Sequence, residues 1–195
     1  MAAVQPQPTS TPAPVQIRRL AYPDLPQVIA IERRAFPTPW SLAMFVLELS
    51  KPSGICLAAA LRGERPRTTG NAEGPSSAAS GRLRHPPLVG YLICSRYDTV
   101  WHVMNIAVDP SQRRAGIATA LLAELYARVD DHRARYTLEV RQSNHQAIHL
   151  YEREGFRAAG VRRRYYQDNG EDALIMWRTP ATLDGSLADV PNPAP

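Results

Sequence analysis

An apolar run ending Ile106-Ala107-Val108-Asp109-Pro110 is followed at once by Arg113-Arg114-Ala115-Gly116-Ile117-Ala118 and then by a helix-patterned segment. Strand, tight basic turn and helix in that order leave several backbone N–H groups unpaired and aimed outward. The helix dipole and two arginines add positive potential, so the turn suits a pyrophosphate. A basic turn opening any surface helix has the same look, and the turn alone does not separate the two readings. The apolar stripe Ile117, Leu121, Leu122, Leu125 and Val129 predicts a helix over Arg114–Val129.

Around this unit the pattern predicts a short strand at Val15–Leu20 and a helix capped by Asp24 that runs to Ala35. A second helix, Leu42–Ser50, is capped by Ser41. Strands follow at Ile55–Leu61, Leu88–Ile93 and Val100–Val108. The rest reads as a strand Tyr136–Arg141, a helix Asn144–Glu154 and closing strands Phe156–Arg162 and Ala173–Trp177. The fold class expected is α/β, a mixed central β-sheet flanked by helices. Residues 1–14 and 179–195 are rich in Pro and Ala without periodicity and read as disordered tails, leaving 15–178 as one domain. Residues 62–87 carry four glycines and four prolines between two strands, which predicts a long disordered hairpin insertion.

Composition narrows the function classes. No apolar run reaches the length of a membrane span, and the N-terminal residues lack the order of a signal peptide. Cys56 and Cys94 both lie in apolar strand-like runs, where reduced core thiols are expected; a cytoplasmic location follows. The net charge of +5 is almost wholly arginine, Lys51 being the only lysine. That balance suits a phosphorylated cosubstrate and equally a loose association with RNA, so charge does not decide between them. His145 and His149 have the spacing of a zinc helix but no intervening glutamate and no third ligand, so no metal is expected.

On the strand Tyr136–Arg141, Thr137, Glu139 and Arg141 share one face, with Leu138 and Val140 on the other. On the following helix Asn144, Ile148 and Tyr151 share one side. Glu139, Asn144 and Tyr151 can therefore face a common cleft. An ordinary ion pair for Glu139 and half-buried packing for Tyr151 are the competing readings.

The run Leu138-Glu139-Val140-Arg141-Gln142-Ser143-Asn144, with Leu150-Tyr151-Glu152, Gly155-Phe156 and Arg162-Arg163-Arg164-Tyr165-Tyr166, resembles the RimI branch of the Gcn5-related N-acetyltransferases (GNAT). Phe36-Pro37-Thr38-Pro39-Trp40-Ser41, Glu171-Asp172-Ala173 and the basic turn add to the likeness, which spans Val15 to Arg178. The resemblance implies a GNAT fold and transfer of acetyl from acetyl-CoA, with no metal. The acceptor it implies is a protein N-terminal α-amine, that of the eighteenth small-subunit ribosomal protein. It implies Glu139 as general base and Tyr151 as general acid. It further implies the backbone of Ile106, Ala107 and Val108 for the pantetheine arm, and the turn Arg113, Arg114, Ala115, Gly116, Ile117, Ala118 and Thr119 for the pyrophosphate. Asn144 is then a cosubstrate contact, and Trp40, Tyr165 and Tyr166 wall the peptide slot, unless they are core packing. Ala118 stands where glycine is commoner and must keep φ below zero. A tRNA-modification protein is a further candidate partner, whereas neither a membrane nor a specific nucleic acid is expected. Acetylation of lysine or a small amine, and a non-catalytic acyl-CoA-responsive binding module, stay open as alternatives.

Overall fold

The computed structural model describes residues 15–62 and 86–191. The expected tail 1–14, residues 63–85 of the expected insertion and residues 192–195 lie outside the described residues. Seven strands form one sheet: β1 (Val15–Arg19), β2 (Gly54–Leu61), β3 (Leu88–Tyr97), β4 (Val100–Val108), β5 (Arg135–Arg141), β6 (Arg157–Tyr166) and β7 (Glu171–Arg178). Their spatial order is β1-β2-β3-β4-β5-β7-β6, every pair antiparallel except β4 with β5. The helices are α1 (Leu25–Ala35), α2 (Leu42–Ser50), α3 (Ile117–Val129), α4 (His145–Arg153) and the short α5 (Pro180–Leu183). The mixed sheet flanked by helices is the α/β architecture expected from the sequence.

β2 and β3 read as unbroken apolar runs because both of their faces are covered. Alternate residues enter different cores. Leu57, Ala59 and Leu92 pack with Leu121, Leu122 and Leu125 of α3, while Ala58, Tyr91 and Ile93 pack with Val28 and Ile31 of α1 and Phe45 of α2. Gly90 lets α3 and β4 approach closely. A Cβ there would stand 2.9 Å from the Ala107 carbonyl oxygen and 3.2 Å from Ile117 Cγ2.

The feature that makes a site is a fork in the sheet. β4 pairs with β5 only at Val100–Arg135, Trp101–Tyr136 and His102–Thr137. Immediately beyond, β4 carries one extra residue, Met104, against β3 (Ile93 opposes Asn105, Cys94 opposes Val103). Such a bulge bends its strand, and from that point β4 and β5 diverge.

The structure departs from the sequence-based expectation in several places; β3 runs on to Tyr97 and β6 to Tyr166, beyond the expected ends at Ile93 and Arg162, because their pairing with β4 and β7 continues. α3 starts at Ile117 rather than Arg114, because Arg114 (φ 64°) and Gly116 (φ 75°) are left-handed and cannot belong to the helix. Asp24 precedes α1 but its carboxylate turns back, accepting from the Ala21 N–H at 2.9 Å and from Arg18 at 2.6 and 2.7 Å. Part of the expected disordered tail is ordered instead: residues 180–183 form α5 and residues 179–182 are packed, while 183–189 are exposed. Thr179 and Thr182 are fully buried, and the Thr179 hydroxyl donates to Asp189 at 2.5 Å.

Candidate active site

The fork between β4 and β5 opens into a cleft of about 690 Å³. One wall is the β4 edge. The Asp109 N–H donates to the Val89 carbonyl at 2.8 Å, so residues 89 and 109 form a hydrogen-bonded antiparallel pair. Such pairs alternate with non-bonded ones. Ala107 opposite Tyr91 therefore spends its backbone groups on β3, whereas Ile106 and Val108 turn their N–H and C=O groups away from β3, toward the fork. Three adjacent residues were expected to act alike here; the register divides them two to one.

The cleft continues to the start of α3. The Ala120 N–H is satisfied by the Gly116 carbonyl at 2.9 Å, so the N–H groups of Ile117, Ala118 and Thr119 have no acceptor within the helix. Gly116 supplies no capping side chain, and Arg113, Arg114, Gly116, Ile117, Ala118 and Thr119 all line the cleft. Unpaired N–H groups, the positive end of the helix and two guanidinium groups form an anion cradle. These donors fit a pyrophosphate, and the free amide edge of β4 fits the amide-bearing arm attached to it. Ala118 keeps φ below zero, since it is absent from the positive-φ residues. Ala115 is outside the cleft lining and packs against the α3-side core.

Glu139 and Tyr151 both line this cleft. The Glu139 side chain is 7 % exposed, with Oε2 2.5 Å from His102 Nε2 and Oε1 3.2 Å from Arg162 Nη2. Burial opposes its ionisation, but the His102 hydrogen bond, that ring's charge and Arg162 outweigh it and hold the carboxyl below its ordinary value. Neither His102 nor Arg162 was legible as its partner, because His102 reaches Glu139 only through the β4–β5 register. Tyr151 is buried and meets Phe156 edge-on at 5.6 Å. Burial, with a smaller contribution from Tyr166, pushes its phenol far above the ordinary value. A phenol so placed stays protonated near neutral pH and so has a proton to give. Asn144 caps α4, accepting from the Ala147 N–H at 3.2 Å, and also lines the cleft.

Glu32 is a second carboxylate that sequence reading missed. It is 1 % exposed and accepts from the Trp40 N–H at 2.8 Å, from Asn105 Nδ2 at 3.2 Å and from the Tyr91 hydroxyl. Those bonds tie the segment after α1 to the bulged part of β4, and so place Trp40 on the cleft wall. Tyr166 also lines the cleft. Tyr165 does not line the cleft: β6 carries two extra residues between Arg162 and Tyr166, Arg164 is left-handed (φ 52°), and Tyr165 is left 43 % exposed. His149 lies 3.1 Å from Glu152, and among the described residues no three or more His, Cys, Asp or Glu side chains are grouped to hold a metal ion. No helix of the described residues is long and apolar enough to cross a membrane.

Comparison with known proteins assigns the family. The profile of the Acetyltransferase (GNAT) family matches residues 25–156. A putative [ribosomal protein bS18]-alanine N-acetyltransferase of Bacillus subtilis is 32% identical over 170 residues, covering 84% of this chain and 94% of that protein. The [ribosomal protein bS18]-alanine N-acetyltransferase of Escherichia coli K12 is 35% identical over 163 residues, covering 82% of this chain and 94% of its own length. The crystal structure of the Escherichia coli ribosomal-protein-S18-alanine N-acetyltransferase superposes with a TM-score of 0.67 at 31% identity, covering 85% of this chain and 93% of that one. The chain belongs to the GNAT acetyltransferase family and is an N-acetyltransferase that takes its acetyl group from acetyl-CoA.

Proposed function

We propose that the chain acetylates the N-terminal α-amine of a protein, with ribosomal protein bS18 as the acceptor. The supporting observation is the placement of a clamped carboxylate and a protonated phenol on one cleft, beside a sheet edge with free amide groups. The acceptor identity is carried over from the names of the two bacterial relatives. Those names specify a ribosomal protein and not a tRNA-modification protein, and no such partner is proposed.

Acetyl-CoA supplies an acyl group activated as a thioester. In the proposed roles the α-amine attacks the acyl carbon, the new C–N bond forms and the C–S bond breaks. Glu139 takes the proton lost by the nitrogen, while Tyr151 gives its proton to the departing sulfur. A free α-amine has a pKa near 8, against about 10.4 for lysine, so much more of it is already neutral near pH 7. The base therefore has a modest task, which a carboxylate held ionised by His102 and Arg162 can meet. In the same proposed roles, backbone N–H groups on β4 steady negative charge developing on the carbonyl oxygen, a contribution usually at least as large as each proton transfer.

Incubation with acetyl-CoA and a peptide carrying the bS18 N-terminus, followed by fragmentation mass spectrometry, tests the acceptor. The acetyl group should sit on the α-nitrogen; acetyl found only on internal lysines overturns the reading. In the same assay Glu139→Gln should cut turnover by roughly 10²–10⁴ while acetyl-CoA still binds.

A further inference from the structure

The chemistry above makes no use of the contacts of Arg141. Arg141 follows Glu139 on the same face of β5. Its Nη2 donates to both Asp168 oxygens at 2.8 and 2.9 Å and approaches Thr38 Oγ1 at 3.4 Å. Its Nη1 donates to Glu171 at 3.1 Å and Asn169 at 3.2 Å, and the guanidinium lies 3.9 Å from the Tyr166 ring centre. Glu171 is anchored in turn by the Ser143 N–H at 2.8 Å, and hydrogen bonds from the Ser143 side chain and backbone, with Arg141 and Asn169, hold its carboxyl down to about 2. One planar group thus joins β5, the β6–β7 turn and the segment between α1 and α2.

Thr38, Trp40 and Tyr166 all line the cleft, and Arg141 touches both Thr38 and the Tyr166 ring. A guanidinium already matched by two carboxylates is a poor receptor for an anionic ligand, so its use lies in what it holds together. We infer that Arg141 is a specificity-determining positioning residue, a clasp that keeps Tyr166 close to the Thr38–Trp40 wall and so excludes acceptors with a bulky first residue. The inference rests on the acceptor terminus entering between those walls, as proposed above.

The test compares two peptides identical except for alanine or leucine at position one, using wild type, Arg141→Gln, Arg141→Lys and Asp168→Asn. Wild type should favour alanine in kcat/KM. Arg141→Gln should raise the peptide KM about tenfold and shrink the alanine-to-leucine ratio by a similar factor, with acetyl-CoA affinity changed less than about twofold. Arg141→Lys should recover only part of the ratio, because an ammonium lacks the planar fork. Asp168→Asn, which opens the clasp from the far side and leaves β5 intact, should shift the ratio in the same direction, and it decides the matter if Arg141→Gln fails to fold. A wild type indifferent to the first residue, or a ratio unmoved in the variants, overturns the clasp while leaving N-terminal acetylation standing. Absence of any α-amine acetylation by wild type removes that reading and the clasp together.

Discussion

Glu139 is engaged at both carboxylate oxygens, and the two partners do different things. Arg162 has a half-exposed side chain and offers a screened charge, whereas His102 makes the short contact from the floor of the fork. Removing His102 leaves burial opposed by Arg162 alone, so the Glu139 carboxyl should rise toward its ordinary value or above. A carboxyl depressed in the folded state contributes stability that is complete above its unfolded value and disappears as pH falls through the folded value. The same carboxylate must be ionised to accept a proton. His102→Ala is therefore expected to move the acid limb of kcat/KM to higher pH, to be less stable than wild type near neutral pH, and to lose less further stability on acidification than wild type does. A pH–rate profile and a pH series of thermal melts read the two effects; an unmoved acid limb would separate His102 from the base. At this scale strand alternation and helical spacing were enough to place Glu139 and Tyr151 on one cleft. They could not supply His102, Arg162 or Glu32 as partners, since those meetings depend on strand register and on where the segment after α1 lies.

Elements were legible where periodicity governs and illegible where backbone handedness does. The apolar stripe of α3 gave its body, yet its first turn was misplaced by three residues because nothing in Arg114 announces a left-handed φ. Two left-handed residues in the turn aim the first N–H groups of α3 into the cleft, so the turn geometry, and not only its charge, builds the cradle. Gly116→Ala tests this cleanly: an added Cβ meets nothing within 4 Å, so the only strain is the positive φ of 75°. The expected cost is about 1 kcal/mol or somewhat more. If the turn relaxes toward negative φ to relieve that strain, the cradle is re-aimed. Acetyl-CoA affinity should then fall several-fold while the peptide KM at saturating acetyl-CoA holds. A peptide KM that rises with acetyl-CoA affinity unchanged would show that the turn serves the acceptor instead. The Cys56 and Cys94 runs, by contrast, were readable from hydropathy alone: both thiols are buried in the sheet and pushed up by burial, Cys56 to about 11.

Across the molecule, the cleft depends on a segment whose composition resembles a linker. Thr179 caps α5, accepting from the Thr182 N–H at 3.2 Å, and Asp189 returns to bind both the Thr179 hydroxyl and the Ala181 N–H. Pro and Ala content suggested a tail because the burial of two threonines is a tertiary fact that no local pattern reports. α5 then meets the corner after α4: the side chain of Leu183 occupies the space a Cβ on Gly155 would need, 2.5 Å from its Cδ2. That corner is the support of Tyr151, whose carbonyl accepts from the Phe156 N–H at 2.9 Å and whose ring packs on Phe156. Arg178 adds a second tie, donating to the Glu154 carbonyl at 2.8 Å. A chain ending at Arg178 should thus keep the sheet and the α3 cradle but lose the prop behind the phenol. Removing a buried cap and its packing should cost about 2 kcal/mol, or roughly 4–8 °C in melting temperature for a domain of this size. The kinetic signature should be a fall in kcat with acetyl-CoA affinity and peptide KM held, because the fork and the acceptor walls lie on other elements. Calorimetry and steady-state kinetics on the shortened chain provide the comparison. A stable protein with full kcat would show that Tyr151 is held by the α4-side core alone.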